Sequence, residues 1–272
     1  MSELVKIFHN YRPQPILVQL GPIFIYFYGV LIVFAIIFGF YLTWKLIKKY
    51  RINISFDELV NLTIYLIIFG LIGARLYHVL TEINYYIAKP WEIFYFWQGG
   101  LGIFGALIAN FIFLFFYGRK RGYSLWFILD LLAPALLLGE AIGRFGNWFN
   151  QENFGYPTSL AWGIPIELIY RPIQYVSFEY FHPTFFYQFI WNIFVLIFLI
   201  FIIKKIKMGR GLIFGWYLVL YSLGRFIIEF LRVNYQPMIL DLRLAQLVCL
   251  LLFASGLYLI FFRKTRKLST IN

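Results

Sequence analysis

The sequence predicts an all-α integral membrane protein with seven transmembrane helices. Three observations carry that prediction: composition, the length of the apolar runs, and the spacing of the basic clusters. Of 272 residues, 62% are hydrophobic and only 13% are charged. Mean hydropathy is +0.77. Soluble proteins run near 45–50% apolar and about 25% charged, and a single soluble domain has no interior large enough for this much apolar surface. Soluble, disordered and fibrous classes are excluded on that ground.

A helix needs about 20 mostly apolar residues to cross a bilayer. Seven runs qualify: 23–44, 59–80, 100–117, 124–143, 184–203, 211–231 and 244–262. Stretches such as 190–203 are apolar on every side, which fits a helix rather than the alternating strands of a barrel. The N-terminus carries Glu3 and Lys6 and shows no small-residue cleavage site, so no cleaved leader is expected. One polytopic domain over 1–272 is expected, with residues 147–183 as a small extracytoplasmic cap containing strand-like pieces such as Ile166 to Tyr170.

The net charge is +12. In a soluble chain that would suggest nucleic acid; here it first reports topology. Lys45, Lys48, Lys49 and Arg51 follow the first span, and Arg119, Lys120 and Arg121 the third. Lys204, Lys205, Lys207 and Arg210 follow the fifth, and Arg263, Lys264, Arg266 and Lys267 the seventh. These fifteen charges fall on one side of seven alternating helices. The positive-inside rule then puts the N-terminus outside and the C-terminus in the cytoplasm. No nucleic-acid partner is expected. Cys249 is the single cysteine, so an internal disulfide and a multi-cysteine metal site are excluded.

Ionisable groups inside spans cost about 2.5–3.5 kcal/mol each on insertion scales and are functional candidates. The second span carries Arg75, His78 and Glu82 on one helix face. The fourth carries Asp130, Glu140 and Arg144, with Asn147 just beyond. The sixth carries Tyr221, Arg225, Glu229 and Arg232. Each stripe can pair Arg with Glu. These three helices run from inside to outside, and Arg225 lies about 21 Å along its helix at 1.5 Å per residue. Arg75, Arg144 and Arg225 are therefore expected in the outer half of the bilayer. One Arg–Glu stripe can be an interhelical latch, and a lone arginine can snorkel. Three at one depth favour an anionic ligand, and the planar guanidinium fork suits phosphate. His182, between cap and fifth span, is the best-placed titratable base. Gly99, Gly100, Gly102 and Gly105 open the third span, for close helix packing or close approach of a ligand.

The run Gly143-Arg144-Phe145-Gly146-Asn147-Trp148-Phe149-Asn150-Gln151-Glu152-Asn153-Phe154-Gly155 resembles the signature of the prolipoprotein diacylglyceryl transferase family, G-R-x-G-N-x-x-N-x-E-x-x-G, at every fixed position. Further segments agree in order. They are Leu20-Gly21-Pro22 leading to Tyr28-Gly29, Gly73-Ala74-Arg75-Leu76-Tyr77, Trp97-Gln98-Gly99-Gly100-Leu101, His182-Pro183-Thr184 with Tyr187, and Tyr221 through Gly224-Arg225-Phe226 to Glu229 and Arg232. The sequence departs at Phe104-Gly105-Ala106, where many members have His-Gly-Gly, and at Gln188, where an acid is common.

The resemblance implies transfer of the diacylglyceryl group of phosphatidylglycerol to the lipobox cysteine of a preprolipoprotein signal peptide, with release of glycerol 1-phosphate. It implies a bacterial plasma-membrane enzyme with its site facing the outer leaflet. On that reading Arg144 and Arg225 clamp the phosphate, Asn147 and Asn150 donate to headgroup oxygens, and Glu152 orients them. Gly155 lets the backbone approach, and His182 is the candidate base. Arg75, Tyr28, Gly99, Gly100, Glu229 and Arg232 complete the substrate-binding set. No metal and no soluble cofactor are expected. The alternatives are a non-enzymatic lipid-binding or lipid-translocating protein, and a seven-helix receptor or channel.

Overall fold

The computed structural model describes residues 9–233, 238–239 and 241–262. Lys264, Arg266 and Lys267 of the last basic cluster, with Arg263, lie outside the described residues. Eight α-helices are described: α1 (Phe27–Lys49), α2 (Phe56–Thr81), α3 (Ile83–Ala88), α4 (Ile103–Arg121), α5 (Leu125–Phe149), α6 (Thr184–Ile203), α7 (Leu212–Glu229) and α8 (Leu244–Leu257). A wider turn over Tyr258–Phe262 continues α8. With that turn, seven helices are long and apolar enough to cross a membrane; α3 is the short exception. The predicted class and span count therefore hold.

Two helix boundaries differ from expectation. The run at 23–44 does not start as helix. Ile16–Leu20 (β1) and Ile23–Tyr26 (β2) form an antiparallel hairpin around Gly21, whose φ is +59°. In β2 every residue is β-branched or aromatic and shows no period, so strand and helix are indistinguishable there. The fourth span runs on to Phe149, six residues past its predicted end. Much of the signature is therefore helical, with Arg144 and Asn147 one turn apart on α5.

The chain forms two compact units, residues 1–43 with 130–272, and residues 44–129. In the second unit, Ser55 caps α2 by accepting the Glu58 N–H at 3.1 Å. Helices α2 and α4 approach closely through Gly73 and Gly105: a Cβ on Gly105 would lie 2.1 Å from the Gly73 carbonyl oxygen. This is the small-residue packing that membrane helices use.

In the first unit, Gly39 of α1 meets Ala135 of α5, and the Phe27 and Phe149 rings stack at 3.9 Å. Asp130, fully buried in α5, accepts the N–H groups of Gly209, Gly211 and Phe214, each at 2.9 Å. These donors start α7, so Asp130 acts as a remote cap for a helix whose own cap position is Gly211. That accounts structurally for one of the charges found within spans.

The region 147–183 has its own small core of Phe154, Ile164, Ile166, Phe181 and the first-turn residue Phe185. Its strands are Ile164–Pro165 (β3) and Tyr180–Phe181 (β4). The strand expected over 166–170 is instead an exposed tight turn at Leu168–Tyr170. A further short pairing joins Met238–Ile239 (β5) to Leu242–Arg243 (β6).

Candidate functional site

The site is built where α5, α6 and α7 meet the loop 150–157. Arg144 Nη1 donates to Asn147 Oδ1 at 3.2 Å, and Asn147 Nδ2 donates to Glu152 Oε1 at 2.7 Å. The Glu152 N–H also bonds the Asn147 carbonyl at 2.9 Å. Beyond the helix, Gln151 and Asn153 adopt positive φ of 49° and 58°, and the chain reverses. Gln151 fixes that turn: its Nε2 donates to the Pro13 carbonyl at 2.9 Å and its Oε1 accepts the Glu167 N–H at 2.7 Å. Thr184 Oγ1 donates to the Asn153 carbonyl.

Gly155 follows. Its N–H bonds the His182 carbonyl at 2.8 Å, and it bridges Arg232 as an isolated strand pair. A Cβ there would lie 2.6 Å from His182 Cβ and 2.7 Å from the Leu231 carbonyl oxygen. Only glycine fits, so the last fixed position of the signature brings the backbone against the segment that holds Arg232. Tyr28 of α1 lies on Gly146 in the same way, its Cδ2 1.8 Å from where a Cβ would stand.

On α7, Glu229 is fully buried. Arg225 pairs with it at 2.8 Å, Arg232 at 3.2 Å and Arg243 at 3.6 Å. Arg243 Nη1 also donates to the Glu229 backbone carbonyl at 2.6 Å. The expected Arg–Glu pairing in this stripe is present. Arg243 was not foreseen, because it sits at the start of a helix and shares no stripe. Its one signal was a basic residue at the N-terminal end of the seventh span, the end away from the basic clusters.

Arg144, Arg225 and Arg232 line one cavity with Asn153, Thr184 and Gln188. No carboxylate is among its lining residues, and no water-sized sphere fits between the side chains. The Nε atoms of Arg144 and Arg232 are buried and unpaired among the described residues. Burial first, and then the charges of Arg225 and Arg144, pull the Arg232 pKa down to about 10, with Glu229 opposing. The guanidinium remains charged at neutral pH under mutual repulsion that an anion would relieve.

His182 lies beside Gly155 and does not line this cavity. Its Nδ1 meets Tyr187 Oη at 3.1 Å, and Tyr187 Oη in turn accepts the Trp162 N–H at 2.9 Å. Partial burial pushes the imidazole pKa below its ordinary value. Asn150 closes α5 through its backbone, its N–H on the Gly146 carbonyl at 3.0 Å. Glu140 accepts the Tyr217 hydroxyl at 2.8 Å.

Arg75, Gly99 and Gly100 belong to the second unit. Arg75 does not bond Glu82. Its Nε donates to the Ile93 carbonyl at 2.9 Å, its Nη1 to those of Gly99 and Gly100 at 2.7 and 3.2 Å, and its Nη2 to that of Glu92. It clamps a glycine loop in which φ is +89° at Gly99 and +68° at Gly100. These residues line a separate cavity of about 300 Å³ with His78, Glu82 and Glu92.

Comparison with known proteins identifies the family. The sequence model of the family described as prolipoprotein diacylglyceryl transferase matches residues 15–262. A protein of Nostoc sp. is 42% identical over 250 residues, covering 90% of this chain and 87% of its own. A protein of Halalkalibacterium halodurans is 36% identical over 257 residues, covering 94% and 88%. One of Cutibacterium acnes is 36% identical over 249 residues, covering 89% and 82%. All three are named phosphatidylglycerol–prolipoprotein diacylglyceryl transferase. Matched over nearly its whole length, the chain belongs to the prolipoprotein diacylglyceryl transferase family and is a multi-pass membrane transferase.

Proposed function

We propose that the arginine cavity of the first unit holds the phosphate of phosphatidylglycerol while the diacylglyceryl group passes to a preprolipoprotein cysteine. The lipobox thiol loses its proton, and its sulfur attacks the glyceryl carbon that bears the phosphate. A C–S thioether bond forms, the C–O bond to phosphate breaks, and glycerol 1-phosphate leaves with the bonding pair. No soluble cofactor or metal enters that balance.

The single observation that carries the reading is the convergence of Arg144, Arg225 and Arg232 on one buried cavity with no carboxylate among its lining residues. A phosphodiester becomes a monoester in the reaction and gains negative charge. Fixed cations at that point stabilise the transition state more than the bound lipid. Arg144 and Arg225 are the clamp. Asn147 holds Arg144 in place, and Glu152 holds Asn147. Asn150 is a further donor to headgroup oxygens, and Gly155 brings the backbone in. Glu229 gathers Arg225, Arg232 and Arg243, whose summed charge exceeds its own. Tyr28, Arg75, Gly99 and Gly100 support substrate binding, Arg75 by holding the glycine loop. The side chains lie close together, so the headgroup must part them.

A free cysteine has a pKa near 8.5, and nearby cations lower it. His182 is the candidate base: it is held toward the neutral form, and Tyr187 orients it through Nδ1. The membrane is the bacterial plasma membrane, with the site at the outer leaflet. Lipid enters sideways from the bilayer, and the signal helix docks with its cysteine outward.

The test uses the purified chain in lipid-containing micelles, labelled phosphatidylglycerol, and lipobox peptides ending in Cys or Ser. Thioether product with Cys alone, matched by released glycerol phosphate, is the expected result. Lipid binding without product would leave a lipid-holding protein and refute the reading.

A further inference from the structure

Helix α6 carries two amides among apolar residues, Gln188 and Asn192, one turn apart and 1% and 0% exposed. Gln188 Nε2 donates to Asn192 Oδ1 at 2.9 Å. Gln188 Oε1 and Asn192 Nδ2 are then left unpaired among the described residues. A buried polar atom without a partner is destabilising. Such atoms persist where a ligand or an ion completes them.

Gln188 lines the arginine cavity, and so do Arg144 and Arg232, whose Nε atoms are also unpaired. Residues that carry unpaired donors and an unpaired acceptor therefore line the same space. Exchanging the oxygen and nitrogen of both amides would keep their mutual bond but turn an N–H toward guanidinium cations. A carbonyl oxygen facing them is the electrostatically favoured arrangement.

The arginine donors suit phosphate oxygens. The Gln188 oxygen requires a donor, and the same ligand can supply it as a hydroxyl or an ammonium. An ammonium is disfavoured beside three arginines when no carboxylate lines the cavity. A hydroxyl carries no such penalty. An amide also accepts a hydroxyl without neutralising the arginines.

We propose that Gln188, braced by Asn192, accepts a hydroxyl of the lipid headgroup and so selects glycerol-type phosphodiesters over headgroups that lack a hydroxyl. The proposal rests on the reading that phosphatidylglycerol is bound in this cavity, and it names the atom that reads the glycerol end.

The experiment measures kcat/KM of the full chain in mixed micelles with two lipids and one lipobox peptide. The lipids are phosphatidylglycerol and phosphatidylpropanol, which differ only in the two headgroup hydroxyls. The wild type should prefer phosphatidylglycerol by about tenfold, the effect of one buried hydrogen bond. Gln188→Leu should bring that ratio close to one. Gln188→Glu, which retains an acceptor, should keep a preference of several-fold. A wild-type ratio near one overturns the proposal without any variant. A Gln188→Leu enzyme that loses rate on both lipids equally also overturns it, since that is the mark of a packing role. Gln188→Met replaces the leucine variant if the latter does not fold. Failure of the wild type on both lipids refutes the functional reading itself and this proposal with it.

Discussion

Arg225, Arg232 and Arg243 share one fully buried carboxylate, Glu229, so the cluster keeps net positive charge inside a membrane protein. Arg225, Glu229 and Arg232 were legible in the sequence because charges inside a span are costly and need a reason. Arg243 was not, because a basic residue at a helix end usually means no more than an interface. His182 was legible by position, but its partner Tyr187 required the fold. The histidine also gives a pH signature. Its folded pKa is lowered, so the unfolded chain binds the extra proton first. Its contribution to stability is complete above the ordinary imidazole value, near 6.5, and is lost as pH falls through the lower folded value. Unfolding midpoints from pH 8 down to 5 should therefore decline on the acid side, and His182→Gln should flatten that decline. An unchanged slope in the variant would contradict the partial burial described for the imidazole.

At the scale of elements, the length of the apolar runs located every spanning helix but not every boundary. The hairpin over 16–26 was hidden because β2 is apolar on both faces and runs straight into α1, leaving Gly21-Pro22 as the turn signal. Helix α5 outran its apolar stretch because Trp148 and Phe149 continue it while Arg144 and Asn147 bond each other across one turn. The need for glycine at 155 was visible as a motif position, whereas its physical cause, the Leu231 carbonyl and His182 Cβ, was not. Gly155→Ala must displace backbone and should cost about 1–3 kcal/mol, the usual range for overpacking, measured by thermal unfolding in detergent. Gly143→Ala meets nothing within 4 Å and should stay near wild type. Equal stability of the two variants would remove the steric account of the signature's last glycine.

For the whole molecule, seven spans and their apolar character followed from composition and run length, and the structure has the same seven. The division into two units carries no sequence signal, because apolar helices look alike whichever neighbours they pack against. Orientation rests on the basic clusters. It is tested with single cysteines placed in a Cys249→Ala background and labelled by a membrane-impermeant maleimide on intact cells. Ile169→Cys, at a residue 83% exposed in the region 147–183, should label directly. Lys120→Cys should label only after permeabilisation. The reverse pattern would invert the topology and move the arginine cavity to the inner leaflet.

The central claim is that the guanidiniums stabilise charge on the departing phosphate. Arg144→Lys keeps the charge but loses the fork, and should lower kcat by about 10²–10³, the loss seen when one preorganised donor is removed. The direct measurement separates kcat at saturating phosphatidylglycerol from the dissociation constant of the bound lipid. Arg144→Lys should lower kcat by that factor and weaken lipid binding by less than about tenfold, because the guanidinium acts on charge that develops only as the phosphate departs. A variant with unchanged kcat and weakened lipid binding would show that Arg144 only binds the headgroup, and would contradict the mechanism.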